Sequence, residues 1–119
     1  MSDIQQVRKG STSLLILHIL EDGPSHGYAI MRELEKRSEG YFSMTAALLY
    51  PALHEMEQEK LVEAAWEEIP GKKRRKVYSI TPAGREHLTQ GQSEWKRFVN
   101  QLMPFLNMAD QIRGSYDAG

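Results

Sequence analysis

Lys72-Lys73-Arg74-Arg75-Lys76 sets five cations at consecutive positions, a density suited to a polyanion whose phosphates release counterions when neutralised. Just before it, residues 55–68 hold Glu55, Glu57, Glu59, Glu63, Glu67 and Glu68 against Lys60 alone, a local balance of −5. The whole chain carries only −1 and has a pI of about 6.4. Positive charge is thus concentrated in one short patch on a near-neutral body. By itself a basic run of this length reads more readily as a solvated loop. Its place in the order of elements is what turns it toward nucleic acid.

Other chemistries find little support. The four histidines, His18, His26, His54 and His87, have no partner ligand at helical spacing, and there is no cysteine to join them in a metal site. Without cysteine, disulfides and thiol nucleophiles drop out as well. The serines stand in caps and turns without a G-x-S-x-G elbow, and the glycines are too scattered to form a phosphate cradle. The glutamates of 55–68 read as the solvated side of a helix and a strand. We therefore expect no catalytic residue, no metal, no cofactor and no enzyme activity.

The elements that must position the basic run follow from punctuation. The 119 residues are 40% hydrophobic and 26% charged, which predicts one compact unit with a modest core. The longest apolar run, Leu14 to Leu17, is far below the ~20 residues of a spanning helix. The opening Met1-Ser2-Asp3-Ile4-Gln5-Gln6 lacks the basic-then-apolar order of an export signal, so a cytoplasmic protein is expected. Ser11-Thr12-Ser13 offers caps for a buried helix ending at Gly23-Pro24. Ser25 is placed to cap a second helix with Tyr28, Met31 and Leu34 on its apolar face, ending near Ser38-Glu39-Gly40. A third helix starts at Ser43 or Thr45. It buries Ala46, Leu49, Leu53 and Met56 and turns Ala47, Pro51, His54, Glu55 and Gln58 outward.

From Leu61 the period changes to two: Val62, Ala64 and Trp66 alternate with Glu63, Ala65 and Glu67. Pro70-Gly71 signals a turn, and Lys76, Tyr78 and Ile80 return. The tip and return arm of this hairpin hold all five cations. Thr81-Pro82 starts a last helix, on which Leu88, Trp95 and Leu102 recur every seven residues with Phe98 and Val99 between them. The expected fold is mainly α with a small β-hairpin. Residues 1–81 form a winged helix-turn-helix for DNA; residues 82–119 form a long C-terminal dimerisation helix and a flexible tail.

In such a fold the second helix of the pair enters the major groove and the hairpin reaches the adjacent backbone. Lys72, Lys73, Arg74, Arg75 and Lys76 would position the protein without reading sequence. Selection would fall to Thr45, Ala47, Leu48, Tyr50 and His54, which suit thymine methyls better than bidentate guanine contacts. Tyr28 and Tyr78 read as packing residues. Leu88, Trp95, Phe98, Val99 and Leu102 form an apolar seam that needs a cover. A second copy is the economical one, with partial folding back onto residues 14–20 the alternative. Trp95 and Phe98 could also wall a small-molecule pocket at that interface. The competing function is a protein interaction module whose basic wing docks an acidic surface.

The stretches L-L-I-L-H-I-L (14–20), G-P-S-H-G-Y-A-I (23–30), L-Y-P-A-L-H-E-M-E (49–57) and K-V-Y-S-I-T-P-A-G-R (76–85), followed by Trp95, together resemble the PadR family of transcriptional regulators over roughly residues 8–103. The resemblance implies a homodimeric repressor on a palindromic operator, released in some members by a small aromatic or lipophilic compound. By position it also implies that His26, Gly27 and Tyr28 open the second helix beside the phosphate backbone. Where the family usually ends its recognition helix on glycine, this chain has Lys60, a less comfortable residue for a left-handed cap. Ala46-Ala47-Leu48 replaces a glycine-containing stretch.

Overall fold

The computed structural model describes residues 2–106; the tail expected over 107–119 lies outside them. The order of elements is α1 (Ser2–Leu20), β1 (Ser25–His26), α2 (Gly27–Arg37), α3 (Ala46–Gln58), β2 (Val62–Glu67), β3 (Arg75–Ile80), α4 (Pro82–Leu102) and a 3-10 turn, Met103–Leu106. None of the described helices is long and apolar enough to cross a membrane. The mainly helical fold with a small antiparallel sheet agrees with the sequence reading. The structure adds a third strand, because β1 pairs with β3 to give the order β1-β3-β2.

Contacts group residues 1–88 and 89–119 into two units. The first turns of α4 belong to the core of the first unit: Gly84 and Leu88 are buried there. That core joins Ile16, Leu17, Ile19 and Leu20 of α1 to Ile30 and Leu34 of α2. Leu49, Leu53 and Met56 of α3, Val62, Tyr78 and Leu88 complete it. Leu88 is fully buried within one chain, so its side chain has no surface to give a second copy.

Local chemistry explains the boundaries. Ser11, Thr12 and Ser13 lie inside α1, not at its start; each costs a helix interior no more than ~0.7 kcal/mol. The cap of α2 is His26, not Ser25: its backbone is extended and its Nδ1 accepts from the Ala29 N–H at 3.4 Å. α2 closes on Ser38, with Glu39 at φ 53° and the Gly40 N–H donating to the Glu35 carbonyl at 2.8 Å. α3 closes the same way. Lys60 takes φ 64°, its N–H meets the Glu57 carbonyl at 3.0 Å and the Leu61 N–H meets the Met56 carbonyl at 2.9 Å. Both ends are Schellman caps with a charged residue in the left-handed position usually given to glycine.

The hairpin turn is Ile69-Pro70-Gly71-Lys72, with Gly71 at φ 74° and the Lys72 N–H donating to the Ile69 carbonyl at 3.0 Å. Proline presets the second position and glycine permits the third. β2 and β3 are in register from Val62 opposite Ile80 to Glu67 opposite Arg75. The start of α4 is tied to the end of α3 through Thr81. Its Oγ1 lies 2.7 Å from the Lys60 carbonyl, to which it donates, and accepts from the Gly84 N–H at 2.9 Å. Gly84 is required by proximity: a Cβ there would stand 2.1 Å from the Leu61 carbonyl oxygen.

Candidate nucleic-acid interface

At 100° per residue, α3 has three working sides. Leu49, Leu53 and Met56 go into the core, as their spacing predicts. Ala46 differs, being exposed because it is the first helical residue and nothing packs over it. The opposite side presents Ala47, Pro51, His54 and Gln58, all exposed, and Thr45 stands exposed at the N-cap without a side-chain capping bond. Proline in the second turn leaves the Ala47 carbonyl without an intrahelical donor. This outer face is small and narrow, open to close approach by a flat polar surface.

The two flanks differ. Leu48, half-exposed, turns away from the outer face and lines an open groove of about 780 Å³ with Tyr41, Phe42, Met44, Ala52 and Leu15. Pro51 of the outer face lines the same groove, so the groove adjoins that face. Tyr50 turns the other way, against α2: a Cβ on Gly27 would come within 2.5 Å of its hydroxyl. Gly27 is therefore buried under Tyr50, and the start of α2 is held directly beside the outer face of α3.

β1 reinforces this placement. His26 pairs with Val77 of β3, so its ring shares a sheet face with Arg75 and Glu67. Burial, then the Arg75 charge, holds the imidazole below its ordinary value of 6.5, with Glu67 opposing. With Nδ1 accepting the cap bond, the neutral ring carries its proton on Nε2. Tyr28, expected to pack, is instead 58% exposed, with the Arg32 guanidinium 5.7 Å above its ring. The buried residues of α2 are Gly27, Ile30 and Leu34, so the apolar stripe lies one step from the Tyr28-Met31-Leu34 reading. Tyr78 does pack, and burial raises its hydroxyl above the ordinary range.

The wing cations occupy the tip and return arm. Lys72, Lys73, Arg74 and Arg75 are exposed and Lys76 is half-buried. Arg74 lies 5.0 Å from the centre of the Trp66 ring, which is exposed near the tip of the hairpin, whereas Val62 at the root of β2 is buried in the core. Arg75 and Lys76 meet Glu67 at 2.8 Å and Glu57 at 3.2 Å. The acidic stretch is thus more than a solvated face, since two of its members hold wing cations.

The first unit therefore brings together the N-terminus of α2, the outer face of α3 and the wing. Trp95 and Phe98 fall in residues 89–106, where their rings meet edge-on at 5.6 Å. Phe98, Val99, Phe105 and Leu106 are exposed there. Sequence reasoning missed β1, the Tyr50–Gly27 contact and the two carboxylates. An aromatic one turn before His54 and a glycine at a helix start were the available signals for the second of these, but neither indicates a partner across the chain.

The fold has known relatives. The sequence model of the Transcriptional regulator PadR-like family matches residues 16–90. A transcriptional regulator of Mycobacterium tuberculosis is 28% identical over 100 residues, covering 84% of this chain and 90% of that one. A solved transcriptional regulator from Clostridium thermocellum superposes with a TM-score of 0.78 at 27% identity, over 84% of this chain and 97% of the other. A PadR family regulator from Eggerthella lenta gives a TM-score of 0.75 at 27% identity, over 88% and 89% of the two chains.

Proposed function

Since this chain belongs to the PadR-like family of transcriptional regulators, a family of regulators and not of enzymes, we propose that it is a homodimeric repressor of a palindromic operator. The observation that carries this reading is the convergence on one unit of an exposed α3 face, the capped start of α2 beside it and a cationic wing. α3 would lie in the major groove with Thr45, Ala47, Tyr50 and His54 nearest the bases, and His26 and Tyr28 would face the backbone. Apolar contacts of this kind suit thymine methyls. The wing would grip the flanking phosphates.

The dimer reading draws on residues 89–106. Phe98, Val99, Phe105 and Leu106 are all exposed there, an apolar group that a second copy would cover. A two-fold axis through that surface would present two α3 faces to two half-sites. The edge-on Trp95–Phe98 pair is where a flat aromatic or lipophilic effector would enter, releasing DNA.

Titrating a duplex from the promoter of the protein's own coding region tests the reading. Sequence-preferring binding is expected, at two chains per palindrome. Changing Lys73, Arg74 and Arg75 together to alanine should weaken binding to every sequence and flatten the log-log salt slope by up to ~2.7, about 0.9 per cation. Weak binding without preference would favour the interaction-module alternative.

A further inference from the structure

The five wing cations are not equivalent. Lys72 and Lys73 are exposed with no ion-pair partner among the described residues, and Arg74 lies over Trp66. Arg75 brings both Nε and Nη2 to one oxygen of Glu67 at 2.8 Å. Lys76 Nζ lies 3.2 Å from Glu57 Oε1 and 5.6 Å from the centre of the Tyr78 ring. Glu57 belongs to α3, so this pair ties the wing to the helix beside it.

We propose that Glu57 and Glu67 are built-in competitors of the DNA backbone, holding Lys76 and Arg75 in ion pairs that phosphates must displace. The inference rests on the DNA-binding reading and adds to it two residues that set affinity from inside the protein. The side chains remain 34% exposed in the Glu57–Lys76 pair and 45–48% exposed in the Glu67–Arg75 pair. Pairs this wet are weak and salt-screened, hence exchangeable. Each exchange strands a carboxylate next to the duplex. That carboxylate takes up a cation from solution, which offsets a counterion released from the DNA. The wing then behaves electrostatically as though it held three cations.

Nor is Glu57 placed to serve its own helix. It stands in the last turn of α3, which contains no basic residue, where a carboxylate opposes the negative end of the helix dipole. Helix stability alone would disfavour an acid there. Reach to Lys76 gives it a task.

The test is a salt titration of anisotropy with a labelled random-sequence duplex, comparing the intact chain with Glu57→Gln, Glu67→Gln and the double variant, each checked for fold by circular dichroism. The double variant is expected to bind about tenfold tighter near physiological salt, with a slope steeper by up to ~1.8, about 0.9 per carboxylate. Lys76→Met should weaken binding more in the Glu57→Gln background than in the intact chain, the non-additivity of a coupled pair. If the intact chain binds the duplex and the double variant matches it in affinity and slope, the competitor role is wrong while DNA binding stands. If the intact chain binds no duplex even at low salt, both fall.

Discussion

His26 joins three tasks in one residue: its ring caps α2 through Nδ1 and feels the charges of Arg75 and Glu67, while its backbone pairs with Val77 in the sheet. Its folded-state value lies below the unfolded 6.5, so below that pH the unfolded chain binds a proton that the folded chain resists. The contribution of this group to stability is therefore complete above about pH 6.5 and declines as pH falls through the window beneath it. His26→Asn keeps a capping oxygen and removes the titration, so urea unfolding should show a flatter stability profile below about pH 6.5 than in the parent. His26→Ala, lacking any cap, should also lose about 1 kcal/mol near neutral pH. A steeper acid loss in His26→Asn would contradict this account. Tyr28 illustrates the opposite lesson: its type suggests packing, but one step of helix phase leaves it exposed under Arg32.

Elements here are joined at their ends. The C-terminus of α3, the start of β2 and the first turn of α4 meet at Lys60, Leu61, Thr81 and Gly84, so a change at this junction should be felt by both helices. Lys60 at φ 64° bears the steric cost of a left-handed L-residue, ~1–2 kcal/mol. Lys60→Gly should therefore stabilise the protein by about 1 kcal/mol after allowing for the freer unfolded chain, read as a higher midpoint in denaturant with an unchanged slope. Gly84→Ala would place a Cβ 2.1 Å from a backbone oxygen that no rotamer change can move. A loss of about 2–4 kcal/mol is expected in the same measurement. The cap at Lys60 was legible, since a lysine in the place usual for glycine already implied strain. Gly84 was not, because a glycine two residues past a helix-starting proline gives no sign of which backbone crosses it.

For the molecule as a whole, the question is what covers residues 89–106. Leu88 belongs to the first core, so the self-association proposed above would rest on the remaining residues of the expected seam, of which Phe98 and Val99 are the most open. Phe98→Glu should leave the first unit folded, since none of its core residues changes, and should weaken self-association by at least ~30-fold, as loss of an aromatic hot spot does. Sedimentation velocity checks it. An intact dimer with normal DNA stoichiometry would place the two-fold axis elsewhere. Trp95→Glu is the companion variant, with a greater risk to helix packing because the indole is partly covered.

Periodicity and punctuation were enough to order the helices and the hairpin, to place Leu49, Leu53 and Met56 in the core, and to mark Thr81-Pro82 as a helix start, because these signals are local and repeat within one element. The family was legible for the same reason, through short stretches in a set order. What only the tertiary structure decided are contacts between residues far apart in sequence: Ser25–His26 as a third strand, Tyr50 over Gly27, Leu88 in the first core and Glu57 on Lys76. A two-residue strand has no period to detect. A carboxylate 19 residues from its lysine looks like any solvated acid until folding sets the two charges 3.2 Å apart.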